Sequence, residues 1–254
     1  MYNHVDHDRE ATHSRILRRT KAFFETACVD DEVSLQDFRK RWEDGPEDKL
    51  LSGLPSCPFL GFLDYDATDS PRVVGCLVHP LQNDGLDARD CGIYDRFICD
   101  DYLCAAHDVL RREEARLVVQ AVDGSYLYGL LITNPRYVRQ LMSLVADATG
   151  AQPTPKVLGT PEVVEAAGRC FALFDNWPHR PEDGIFGQVK VAGELDTERR
   201  RMPAEALDVE QDPVDVLLVC LGTECAGPDE LARARGRVRK PLDALIEAVE
   251  RAQP

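Results

Sequence analysis

The stretch PRYVRQLMSLVADATG, residues 135–150, fixes the character of the chain. Pro135 stands where a helix accepts proline, at its first turn, and Gly150 stands where helices commonly end. TPEVVEAAGRCFALF repeats the pattern, with Thr160 as cap and Pro161 at the first helical position. Working outward, VLRREEARLVVQAV after Asp108 reads as a helix, as does the closing PDELARARGRVRKPLDALIEAVERA, which Pro241 should break or kink. Toward the N-terminus, residues 9–28 place Ile16, Leu17, Phe23, Phe24 and Ala27 on one side of a helix. A second helix is expected in SLQDFRKRWED, capped by Ser34, with Phe38 and Trp42 on one face.

Between these halves the texture changes. CPFLGFLDYD and RVVGCLVHP are short apolar runs that read as a β-hairpin or a pair of short strands, and LQNDGLDARD is rich in turn formers. The fold class is therefore mainly α, a helical body with a small cysteine-rich, partly β or irregular module, α+β overall. The reading is a single domain over 1–254. It has N-terminal helices in 1–50, the cysteine-rich module in 51–108 and a helical region in 109–254. Residues 194–212 show no core face and read as a linker or exposed excursion.

The chain has 254 residues, a formal charge of −15 and 44% hydrophobic residues. That charge argues against general nucleic-acid binding, which needs a cationic surface. The basic runs at 15–21, Arg199-Arg200-Arg201 and 233–240 read as solvated helix faces. The longest purely apolar run, Val216–Leu221, is too short for a membrane span, and no signal-peptide pattern opens the sequence. A cytoplasmic location is expected, and a protein partner is compatible with such a chain.

Nine cysteines then require a reason, since cytosolic thiols stay reduced. Five of them, Cys57, Cys76, Cys91, Cys99 and Cys104, fall within 48 residues. They can be thiolate ligands of zinc or an iron–sulfur cluster, small core residues, or a redox pair. No CxxC pair is present. The same window holds nine aspartates and three arginines, a field that opposes a reactive thiolate and that a bound cation would offset. The preferred ligand set is Cys57, Cys76, Cys99 and Cys104. Cys91, His79 and Cys28 stand in reserve, while Cys170 and Cys220 read as core.

The order Cys57-Pro58-Phe59-Leu60, Gly75-Cys76-Leu77-Val78-His79-Pro80, then Cys99 and Cys104, resembles the YkgJ-like zinc- or iron-chelating domain family over about residues 57–104. The resemblance implies metal ligation by those four cysteines, with His79 in place of the family's tyrosine. The family's upstream cysteine cluster is missing here, and its Arg-Pro turn is replaced by GIYDRFICDDYLC.

Other groupings favour plainer readings. His4, His7 and His13 with Asp6 and Asp8 suit a solvated, frayed N-terminus, and NDGLD suits a turn rather than a calcium loop. The loop holding Trp177, His179 and Arg180 offers one histidine without an identifiable partner. No phosphate loop, HExxH or GxSxG occurs, so no enzyme class is supported. The alternative to a metal protein is a helical interaction or regulatory protein whose cysteines only pack.

Overall fold

The computed structural model describes residues 2–101 and 105–253. Its residues group into two compact units. Of the described residues, one is built from 2–101 with Gly124–Tyr126 and Val191–Asp196, the other from 105–123, Leu127–Lys190 and 197–253.

In the first unit, helix α1 (Arg9–Thr26) starts at Asp8, whose carboxylate accepts the Ala11 N–H at 2.7 Å, supplying one of the orphan donors of a helix start. Helix α2 (Glu32–Trp42) is capped by Asp31, three residues earlier than Ser34. The reason is local. The Ser34 hydroxyl is committed to the Cys28 N–H, while Asp31 is free to accept from Val33. The two helices meet the hairpin β1 (Leu60–Phe62) and β2 (Val74–Cys76), antiparallel with Leu60 opposite Cys76. Their shared core centres on Phe23, Phe38 and Phe59, with ring centroids 5.3–6.0 Å apart. Edge-to-face and offset arrangements at this spacing add to simple burial. A short helix, α3 (Arg96–Asp101), completes the unit.

Two expectations are corrected here. Phe24 does not face the core; it is exposed and stacks on Tyr65. The N-terminus is not frayed over its described residues, because Tyr2, Asn3 and His4 are buried. The Asn3 amide exchanges hydrogen bonds with the backbone of Leu51, and His4 Nε2 lies 3.3 Å from Asp44.

The second unit is helical: α4 (Ala105–Val109), α5 (Arg112–Ala121), α6 (Ser125–Thr133) from Leu127 onward, α7 (Pro135–Thr149), α8 (Pro155–Leu158) and α9 (Pro161–Phe171). A second two-stranded sheet, β3 (Val189–Val191) with β4 (Thr197–Arg199), precedes α10 (Pro203–Ala206), α11 (Asp215–Cys220) and α12 (Pro228–Ala252). Helix α7 ends as its sequence requires, with Gly150 left-handed at φ 76°. Helix α5 starts after Arg111, not Asp108: buried Glu114 reaches back to the Arg111 N–H at 2.8 Å and also pairs with Arg139. Helix α12 runs through Pro241 unbroken and packs along α9 and α7 through Leu231, Val238, Leu242, Leu245 and Val249. Apolar burial on that scale outweighs the one backbone bond that a proline forfeits.

Residues 194–212 are more than an excursion. Arg200, Pro203 and Ala204 are buried. Arg200 ion-pairs with Glu224 and Asp183, so this basic run is not a solvated helix face.

Candidate metal centre

The cysteine window is organised by two tight turns, each headed by a cysteine. After Cys57 the chain bends so that the Leu60 N–H reaches the Cys57 carbonyl at 3.4 Å before β1 begins. After β2 it bends again, with the His79 N–H on the Cys76 carbonyl at 3.3 Å. Within the second turn the Val78 backbone N–H acts on the Cys76 sulfur and favours its thiolate. The hairpin ladder, continued by the Leu77 N–H to Phe59 carbonyl bond of 2.9 Å, brings these turns side by side. Turns of this kind, with backbone donors aimed at sulfur, are how chains present thiolates to metals.

Cys57 and Cys76 are half-buried and pack against the aromatic core, and Cys57 Sγ lies beside Gly92. Cys99 reaches the same neighbourhood from α3. Charge on Cys57 and on Cys99 each acts on the Cys76 thiol, and Cys57 acts on Cys99. Cys57, Cys76 and Cys99 thus lie within electrostatic reach of one another. Cys104 lies outside the described residues. Among the described residues no three His, Cys, Asp or Glu side chains stand close enough together to hold an ion.

What holds α3 in place is Arg89, a residue that sequence reading passed over. It is buried in the short turn Arg89–Cys91 and grips Asp87 with two bonds, Nε to Oδ1 at 2.9 Å and Nη2 to Oδ2 at 2.7 Å. Its far edge holds Asp100 of α3, one residue from Cys99. A fork clamped between two carboxylates is the strong form of ion pair, because each bond is charge-assisted and geometrically fixed. The only signal in the sequence was an arginine among aspartates, which does not reveal burial.

Two of these thiols, Cys76 and Cys99, are pushed toward the neutral form. Burial, then Cys57 and Cys99, push Cys76 up to about 11, against opposing pulls from the Val78 N–H and Arg89. Burial also leads at Cys99, followed by Cys57, with Asp100 and Asp95 adding to it and Arg89 opposing. The aspartate field read from the sequence acts as expected at Cys99, but desolvation is the larger cause. Neutral thiols make poor nucleophiles, whereas a metal ion displaces their protons and pays for the ionisation itself.

The reserve ligands are occupied elsewhere. Cys91 is buried in the aromatic core, as a small hydrophobe is. His79 Nδ1 accepts the Leu81 N–H at 3.1 Å, which places its proton on Nε2 and leaves that nitrogen a donor. Cys28 is exposed in the turn between α1 and α2 and donates to Asp30 Oδ1 at 2.8 Å. Cys170 and Cys220 are buried core residues. In the remaining loop, Trp177 donates to Thr223 and His179 pairs with Glu230, both structural roles.

No helix of the described residues is long and apolar enough to cross a membrane. No protein-family model matches the chain, and neither a curated protein nor a solved structure matches it.

Proposed function

We propose that the protein binds a metal through the thiolates of Cys57, Cys76, Cys99 and Cys104, as zinc or an iron–sulfur cluster of structural or electron-transfer type. The observation that carries this reading is the pairing of two cysteine-headed turns across the hairpin, with Cys99 held nearby by the Arg89 clamp. The donor chemistry fits: soft sulfur ligands, a backbone N–H acting on Cys76, and partial burial of Cys57 and Cys76. Four thiolates would close the coordination sphere and leave no position for a substrate. The chain's residues would set the potential or stability of the centre through the Val78 N–H and the Arg89 charge. The YkgJ-like resemblance of residues 57–104 points the same way.

Anaerobic purification followed by metal analysis and a visible spectrum tests this. Stoichiometric zinc in colourless protein, or iron and sulfide in brown protein, is the expected outcome. Either should be lost in Cys76→Ser and Cys99→Ser. A second reading is favoured by the packing of Cys57 and Cys76 on the aromatic core: a helical interaction or regulatory protein without metal. It predicts metal-free, folded protein in which Cys76→Ser costs only about 1 kcal/mol, an ordinary core substitution.

A further inference from the structure

A cavity of about 520 Å³ in the second unit is rich in arginine. It is lined by Arg136, Arg199, Arg200 and Arg201, by one carboxylate residue, Glu205, and by the apolar Val216 and Val219. In a chain of net charge −15, four arginines against the one lining carboxylate of Glu205 are a local excess of positive charge. Buried Arg200 is neutralised by Asp183 and Glu224 and serves as the anchor. Its backbone N–H binds the Gln188 carbonyl at 2.7 Å and its Nε binds the Gly187 carbonyl at 3.2 Å. In extended chain, neighbouring side chains leave on opposite faces, so fixing Arg200 inward displays Arg199 and Arg201 outward. Both are exposed.

Among the described residues, none of Arg136, Arg199 and Arg201 forms an ion pair with a carboxylate. Arg201 reaches only the Glu205 carbonyl at 3.1 Å, and Arg136 only the Gln188 amide oxygen at 3.2 Å. Arg136 is also the second residue of α7, where the helix dipole opposes a cation. Its position is therefore unfavourable in the empty protein and becomes favourable once an anion sits beside it. Gln188, tied to Cys220 through its other amide atom, steadies the Arg136 guanidinium.

We propose that this cavity binds a small organic anion, a phosphate or carboxylate head among Arg136, Arg199 and Arg201 and an apolar body over Val216 and Val219. Guanidinium forks match both head groups in geometry. The volume falls in the range of roughly 300–1,000 Å³ typical of small-molecule sites.

Titration calorimetry of the full chain with phenyl phosphate, phthalate and neutral phenol tests the assignment. At least one of the two anions binds with unit stoichiometry, more weakly as salt is raised, and the tighter of the two identifies the head group. Phenol binds at least tenfold more weakly. The double variant Arg136→Gln/Arg199→Gln, at exposed positions, keeps its helical circular dichroism and loses at least tenfold in affinity, whereas Arg237→Gln on α12 binds as the wild type does. The proposal is overturned if neither anion binds, if phenol matches them, or if the double variant binds unchanged.

Discussion

Arg89 shows how one side chain can fix the position of a whole candidate ligand. It sits in a turn, yet its guanidinium is buried and ties Asp87 to Asp100. The consequence is measurable at Asp87, whose carboxyl is pulled down to about 2, chiefly by its hydrogen bonds to Arg89. Because the folded pKa is depressed, the stabilisation is present above the ordinary carboxylate range of about 4 and is lost as pH falls through about 2. In Arg89→Met the Asp87 carboxyl should titrate near 4, as NMR of the side-chain carbonyl would report. The Cys99 amide should then exchange faster, since α3 has lost its tether. A titration of Asp87 unchanged by the substitution would remove the clamp from the account.

At the scale of elements, the tightest constraint lies where two segments of the second unit touch backbone to backbone. Gly222 follows α11 at φ +72°, and a Cβ there would come 2.1 Å from the Gly184 carbonyl oxygen. Gly150 shares the left-handed conformation, φ +76°, but faces open space. The pair separates two costs. Gly150→Ala should lose about 1 kcal/mol from conformation alone, whereas Gly222→Ala adds a backbone clash and should lose about 3 kcal/mol or more. Urea denaturation with an unchanged m-value distinguishes the two. Gly150 was legible in the sequence because a helix stop is local information, and so were α1, α7, α9 and the hairpin. Gly222 was not, since its neighbour lies 38 residues away in sequence. The same limit hid Arg89, which the sequence alone did not single out, and Arg200, which read as a solvent-facing cation although Asp183 and Glu224 enclose it. Helix α6 escaped notice because SYLYGLLIT is apolar nearly all round and lacks a helical stripe. The cysteine window was legible as a cluster, but the placing of its two turns side by side emerges only from strand register, and Cys99 comes near them only through α3.

Across the whole molecule, thiols held neutral make stability depend on alkaline pH. Burial pushes Cys170 and Cys220 up to about 12, and it leads likewise at Cys76 and Cys225, both at about 11. An unfolded chain ionises these groups in the ordinary thiol range, so above about 8.5 the unfolded state sheds protons that the folded state retains. The contribution is full below that range and is lost progressively as pH rises through 11 to 12. Each thiol ionised only in the unfolded chain adds a slope of about 1.4 kcal/mol per pH unit. The urea midpoint should therefore fall steeply between about pH 9 and pH 11, and Cys170→Ala/Cys220→Ala should flatten that fall relative to its own value at pH 7. Metal binding enters the same measurement with opposite sign. If Cys57, Cys76 and Cys99 carry a metal, Cys76 is already a thiolate in the folded state and drops out of the alkaline loss, while Cys170 and Cys220 remain. Metal-loaded protein should then show a shallower decline than chelator-treated protein, and identical slopes for the two would leave the thiols of the cysteine window as packing groups.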